Sequence, residues 1–125
     1  MKVYLPVIAL VLAAACNRNE TSAPAPVTPP AAAGDSSHGK QLIEQYGCTI
    51  CHIVPGLEGP KGMVGPSLEH VASRQVIAQN VPNTPQNVTA YIQNPQASNP
   101  QNTMPNLGVK PEEARDIAAY LSTLR

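Results

Sequence analysis

Cys48, Cys51 and His52 stand in the run Cys-Thr-Ile-Cys-His, two thiols and an imidazole within five residues. That spacing is the signature of covalent c-type haem attachment. Sulfurs three positions apart on one turn of helix can add to the two vinyl groups along one haem edge. A histidine directly after the second sulfur then lies beside the iron. Other chemistries fit these residues less well. Tetrahedral zinc needs two further thiol or imidazole ligands, and the remaining candidates, Cys16, His38 and His70, form no second close pair. A thioredoxin-like dithiol calls for a strand–helix–strand setting, and no alternating strand pattern flanks these cysteines.

The elements that must position this run are helical. Asp35, Ser36 and Ser37 offer N-caps, and Gly39, Leu42, Ile43 and Tyr46 follow on one face at spacings of three and four. Near the other end Pro111 suits a first helical position and Glu112-Glu113 suits the positive end of the helix dipole. Ile117, Tyr120, Leu121 and Leu124 make the second stripe. A glycine on one stripe and an aromatic on the other predict two short helices that cross closely. Thr84-Pro85 opens a further helix through Tyr91-Ile92, stopped at Asn94-Pro95, and a shorter turn is expected from Pro66-Ser67. From Asn94 to Asn106 the chain is nearly all Pro, Asn, Gln, Ser and Thr, poor material for regular structure. Strand signals are absent, so the expected class is all-α.

The start of the chain reads as an address. Met1-Lys2 is a short positive region, and Val3 to Ala15 is apolar apart from Tyr4 and Pro6. That is the length of a secretory signal core and shorter than the roughly 20 residues of a membrane span. Leu12-Ala13-Ala14-Ala15-Cys16 resembles a bacterial lipobox, in which cleavage precedes a cysteine that carries lipid. Ala13-Ala14-Ala15 also fits ordinary secretion; both readings cut at the same bond and differ in whether Cys16 is acylated. The expectation is a signal peptide over 1–15, a lipidated Cys16 with a Pro/Ala-rich tether over 16–34, and a folded domain over 35–125. Four prolines among small residues in the tether cannot bury a core.

The folded domain, some 90 residues long, has no Phe and no Trp. Side chains alone would make a thin core at that size, and a haem plate would fill it. The domain carries seven acids and six bases with no basic run, so nucleic acid is not an expected partner.

From about Gly39 to Leu124 the chain resembles class I c-type cytochromes. More narrowly, it is similar to the cytochrome c domain fused to subunit II of some bacterial cytochrome c oxidases. The likeness rests on Gly47-Cys48-Thr49-Ile50-Cys51-His52, Gly65-Pro66-Ser67-Leu68, His70-Val71-Ala72-Ser73-Arg74, Pro82-Asn83-Thr84-Pro85, Asn94-Pro95-Gln96 and Met104-Pro105-Asn106-Leu107. It implies three to five short helices wrapped around one haem c bound through Cys48 and Cys51. The oxidase domain's copper ligands lie outside this region and are not in this chain. By the same resemblance the iron is held by His52 and by Met104, which comes 52 residues after His52 and is followed by proline as the family's distal methionine is. Met63, close before Gly65-Pro66, belongs with the proximal side, and His70 corresponds to no axial ligand. Pro66 is expected to accept the proximal imidazole's second N–H, and Arg74 and Tyr91 to lie near the haem propionates. Tyr91 replaces a common tryptophan there, and Asn99 stands where a lysine is frequent.

Iron held on both faces has no open position for substrate, and Met/His ligation raises its potential. The sequence therefore predicts a monomeric single-electron carrier and not an enzyme. It is expected at the periplasmic side of a bacterial membrane, held by its lipid. Electrons would arrive from a quinol-oxidising complex or a small donor and leave to a terminal oxidase. The alternatives are a permanent cytochrome subunit of an oxidase or dehydrogenase complex, and a ligand-binding or peroxidase-like haem protein.

Overall fold

The computed structural model describes residues 33–60, 62 and 64–125. The expected signal peptide, Cys16, nearly all of the expected tether and Met63 lie outside the described residues. Four helices follow in order: α1 over Ser36–Gln45, α2 over Pro85–Gln93, α3 over Pro95–Ser98 and α4 over Pro111–Leu121. Short 3-10 turns cover Cys48–Ile50 and Val71–Ser73, and two-residue strands β1 (Val76–Ile77) and β2 (Val81–Pro82) pair antiparallel.

Helix α1 starts where its cap allows. The Asp35 carboxylate accepts from the main-chain N–H groups of Ser37 (2.8 Å) and His38 (3.1 Å), satisfying two of the orphan donors of a first turn. Helix α2 is capped by Thr84, whose hydroxyl accepts from the Asn87 N–H at 3.2 Å, with Pro85 in the first position. In α4, Pro111 takes that position, and the Glu113 carboxylate turns back to accept the Lys110 N–H at 3.2 Å.

The framework is the crossing of α1 and α4. Leu42, Ile43, Ala114, Ile117 and Ala118 form its buried seam, extended by Ile92 of α2 and by Val54 and Val109. Gly39 sits at the crossing, and a Cβ there would lie 1.9 Å from the Asp116 carbonyl oxygen. Any larger residue must push the helices apart. The surface that faces Gly39 is thus the main chain of α4 itself. The aromatic of that stripe, Tyr120, instead donates its hydroxyl to the Pro55 carbonyl at 2.9 Å and ties down the loop after the haem motif.

Polar bonds fasten the same pair of helices. The Tyr46 hydroxyl donates to Glu113 at 2.6 Å, and Asp116 accepts from the Asp35 N–H (2.7 Å) and from His38 Nδ1 (2.8 Å). The bond from Tyr46 holds the Glu113 carboxyl below its usual range, and the bond from His38 does the same for Asp116. A carboxyl lowered in the folded state contributes stability above its unfolded pKa, and that contribution is lost as pH falls through the native value. Denaturant midpoints should therefore decline steeply once pH drops below about 3.8, the ordinary value for Asp116. Asp116→Asn should start lower and follow a shallower acid limb; an unchanged acid slope would remove Asp116 from this role.

Three local features depart from the sequence expectation. The β1–β2 hairpin went unread because two-residue strands are too short to show alternation, and its turn uses Ala78 (φ 44°) and Gln79 (φ 76°) where glycine or asparagine would have signalled it. Within Asn94–Asn106, Pro95–Ser98 forms α3, one turn set by a proline at the first position. The turn expected from Pro66-Ser67 begins later, at Glu69-His70.

Candidate functional site

Helix α1 gives way at Gly47 (φ 68°), and the chain enters the 3-10 turn Cys48–Ile50. There the N–H groups of Cys51 and His52 both bond to the Cys48 carbonyl, at 3.2 and 2.9 Å. One tight turn thus carries both thiols and delivers the imidazole after them. Both cysteines line one cavity of about 540 Å³. Its walls come from Ile43 of α1, Val88 and Ile92 of α2, and Ile117 and Leu121 of α4. Burial pushes the Cys48 thiol up.

His52 is held by main chain on two sides. Its Nδ1 lies 2.7 Å from the Pro66 carbonyl. A carbonyl only accepts, so in the neutral ring Nδ1 carries the proton and Nε2 offers its lone pair. That is the tautomer a metal-binding imidazole needs, and the bond fixes the ring's orientation. The ring face rests on Gly65, where a Cβ would fall 2.5 Å from His52 Cε1 and 2.7 Å from Nδ1. The Gly65 N–H in turn bonds to the Cys51 carbonyl at 2.9 Å, so the loop is stitched under the ring.

Met104 borders the same cavity from the loop between α3 and α4. His70, the rival ligand, is exposed at φ 55° and does not line the cavity. Asn99 also lies off the cavity and accepts from the Gln101 N–H at 2.9 Å.

Pro66, Arg74 and Tyr91 all line the cavity. Arg74 Nη2 donates to the carbonyls of Ser67 (2.6 Å) and Glu69 (3.0 Å). Its Nε and Nη1 donors remain for an anionic group. Tyr91 Oη accepts from Asn102 Nδ2, leaving the tyrosine's own proton to donate. The residues present therefore fit a haem: an apolar slot, two thiols on one turn, an imidazole with its outer nitrogen bare, a thioether, and two hydrogen-bond donors at its border.

Three asparagine and glutamine residues with no role assigned to them above also help build the site. Asn83 Nδ2 donates to the carbonyls of Val71 and Arg74, both at 2.8 Å, and holds the 3-10 turn that precedes the hairpin. Gln96 and Asn102 bond to the main chain of Met104. Asn83 and Gln96 stand in motifs of the resemblance without an assigned role, and Asn102 in an irregular stretch. A polar side chain in a proline-rich loop looks the same in sequence whether it faces solvent or a carbonyl.

A family model described as Cytochrome c matches residues 36–125. The chain is similar to "Cytochrome c oxidase subunit 2" of Alkalihalophilus pseudofirmus, 31% identical over 91 residues, which is 72% of this chain and 26% of that protein. It is also similar to "Cytochrome c-552" of Bradyrhizobium diazoefficiens, 30% identical over 125 residues, covering 100% of this chain and 99% of that one. The chain thus spans about a quarter of the first relative and nearly all of the second.

Proposed function

The chain belongs to the cytochrome c family and binds haem c through Cys48 and Cys51, and from that premise we propose that its iron is held between His52 and Met104. The observation that carries this is the placement of both residues on one cavity, with His52 Nδ1 engaged by Pro66 and Nε2 bare. The protein is a monohaem electron carrier. Haem bound in this way supplies a one-electron Fe(III)/Fe(II) couple, whose potential Met/His ligation raises. The chain's own residues do the rest. His52 is kept from rotating by Gly65 and Pro66, Met104 borders the same cavity, and the apolar walls of α1, α2 and α4 exclude water. With His52 and Met104 both holding the iron, no position would be left for a substrate, so the site would pass electrons and would not turn over a small molecule. Arg74 and Tyr91 offer their remaining donors to the propionates.

The finer reading concerns place and partner. Cys16 carries lipid, and the tether lets the domain reach away from the periplasmic side of a bacterial membrane to collect electrons and deliver them to a terminal oxidase. The secretory segment at Val3–Ala15 and the similarity to an oxidase subunit support this. That similarity equally favours a second reading, a cytochrome permanently held in an oxidase complex.

Fractionation tests the anchor. Wild type should sediment with membranes and enter the detergent phase, whereas Cys16→Ser should be released or left unprocessed. A diacyl-plus-amide anchor exceeds the marginal binding of a single chain. Soluble wild type with an unmodified Cys16 would favour ordinary secretion. Reduced protein should be reoxidised by oxidase-containing membranes, and co-purification with a large complex would select the subunit reading.

A further inference from the structure

Met104 sits in a loop without regular structure, yet both of its main-chain polar atoms are held. Its N–H donates to Asn102 Oδ1 at 3.0 Å, and its carbonyl accepts from Gln96 Nε2 at 2.7 Å. Among the described residues neither atom bonds to another main-chain group. Side chains alone fix this residue. Both are half-buried and anchored to helices. Asn102 Nδ2 donates to Tyr91 Oη on α2 and, at 3.4 Å, to the Pro95 carbonyl at the start of α3. Gln96 belongs to α3, and its Nε2 also reaches the Asn102 carbonyl at 3.4 Å. The orientation of the Asn102 amide is forced, since a main-chain N–H only donates and must meet Oδ1.

We propose that Asn102 and Gln96 are positioning residues that clamp the main chain of Met104 and set how fast its sulfur leaves the iron. This rests on Met104 being the sixth ligand. A bound sulfur departs only when the loop swings away, and the loop cannot swing without breaking these two bonds. The clamp therefore gates exogenous ligands, although neither side chain touches the iron. One ordinary hydrogen bond is worth about two- to tenfold in an equilibrium, and each bond should slow opening by a comparable factor. Because Gln96 also bonds to the Asn102 carbonyl, the two effects should not multiply independently.

The test uses full-length ferric holoprotein and imidazole as the entering ligand. At saturating imidazole the binding rate reports loop opening. Asn102→Ala and Gln96→Ala should keep the near-infrared sulfur-to-iron band, so Met104 remains bound, while the limiting rate rises about two- to tenfold in each. Asn102→Asp keeps the acceptor for the Met104 N–H but loses the Nδ2 donor to Tyr91 and Pro95, so its limiting rate should fall between those of wild type and Asn102→Ala. General loosening of the fold would not be rescued in this way. If Asn102→Ala yields no folded holoprotein, Gln96→Ala and Asn102→Asp decide the matter. Variants with the band intact and unchanged limiting rates overturn the clamp. Met104→Ala should bind imidazole without the slow opening phase; if it keeps the wild-type limiting rate, the ligand assignment itself has failed and the clamp with it.

Discussion

Met104→Ala should strip ferric protein of its near-infrared sulfur-to-iron band and turn a site closed to carbon monoxide into one that binds it. In wild type the incoming molecule must displace a thioether held by a loop whose main chain is fastened at Asn102 and Gln96. Alanine leaves nothing to displace. The midpoint potential should fall as well, because the thioether favours the ferrous state. Covalent haem content should be unchanged, since Cys48 and Cys51 are untouched. Met63→Ala should leave the band and the potential close to wild type. The decisive comparison is wild type itself. A wild-type protein that is high-spin and takes up carbon monoxide readily at neutral pH would defeat the electron-carrier geometry and install a ligand-binding haem in its place.

The second large effect concerns attachment and folding together. Wild type should carry one haem mass per chain that survives denaturation and acid–acetone extraction. Cys48→Ala/Cys51→Ala should carry no covalent haem and should fail to fold. The size of the slot explains why. An empty cavity costs on the order of 24 cal/mol per Å³, and the slot measures about 540 Å³. Treated as fully enclosed, which sets an upper bound, that is on the order of 13 kcal/mol. The whole stability of a small domain is about 5–15 kcal/mol. The buried core offers no reserve, because its largest members are Leu42, Ile43, Ile92 and Ile117, with no Phe or Trp available. A variant pair with native-like helix content and a cooperative transition without haem would show that the protein core suffices.

How far the sequence spoke depends on the range of the interaction. The caps at Asp35 and Thr84, the proline starts at Pro85 and Pro111 and the Cys48–His52 turn act within four residues, so local spacing revealed them. The close crossing at Gly39 was readable as a likelihood of approach from the two stripes, but what faces it was not. Which atom of α4 meets Gly39 depends on the crossing of two helices far apart in sequence. The cavity-lining places of Pro66, Arg74, Tyr91 and Met104 followed from resemblance. The bonds of Asn83, Gln96 and Asn102 join side chains to carbonyls and amides whose positions only the folded loop defines. The hairpin escaped because its left-handed turn is made by Ala78 and Gln79.

The support of His52 has an evolutionary side. Both groups that fix the ring are main-chain groups, the Pro66 carbonyl and the Gly65 backbone. Every amino acid brings a carbonyl, so drift at position 66 can preserve the hydrogen bond while changing only the stiffness of the chain. No amino acid but glycine omits the Cβ, so position 65 has no neutral neighbour in sequence space. Two adjacent residues serving one imidazole thus face opposite selection: one is constrained by what it contributes, the other by what it lacks.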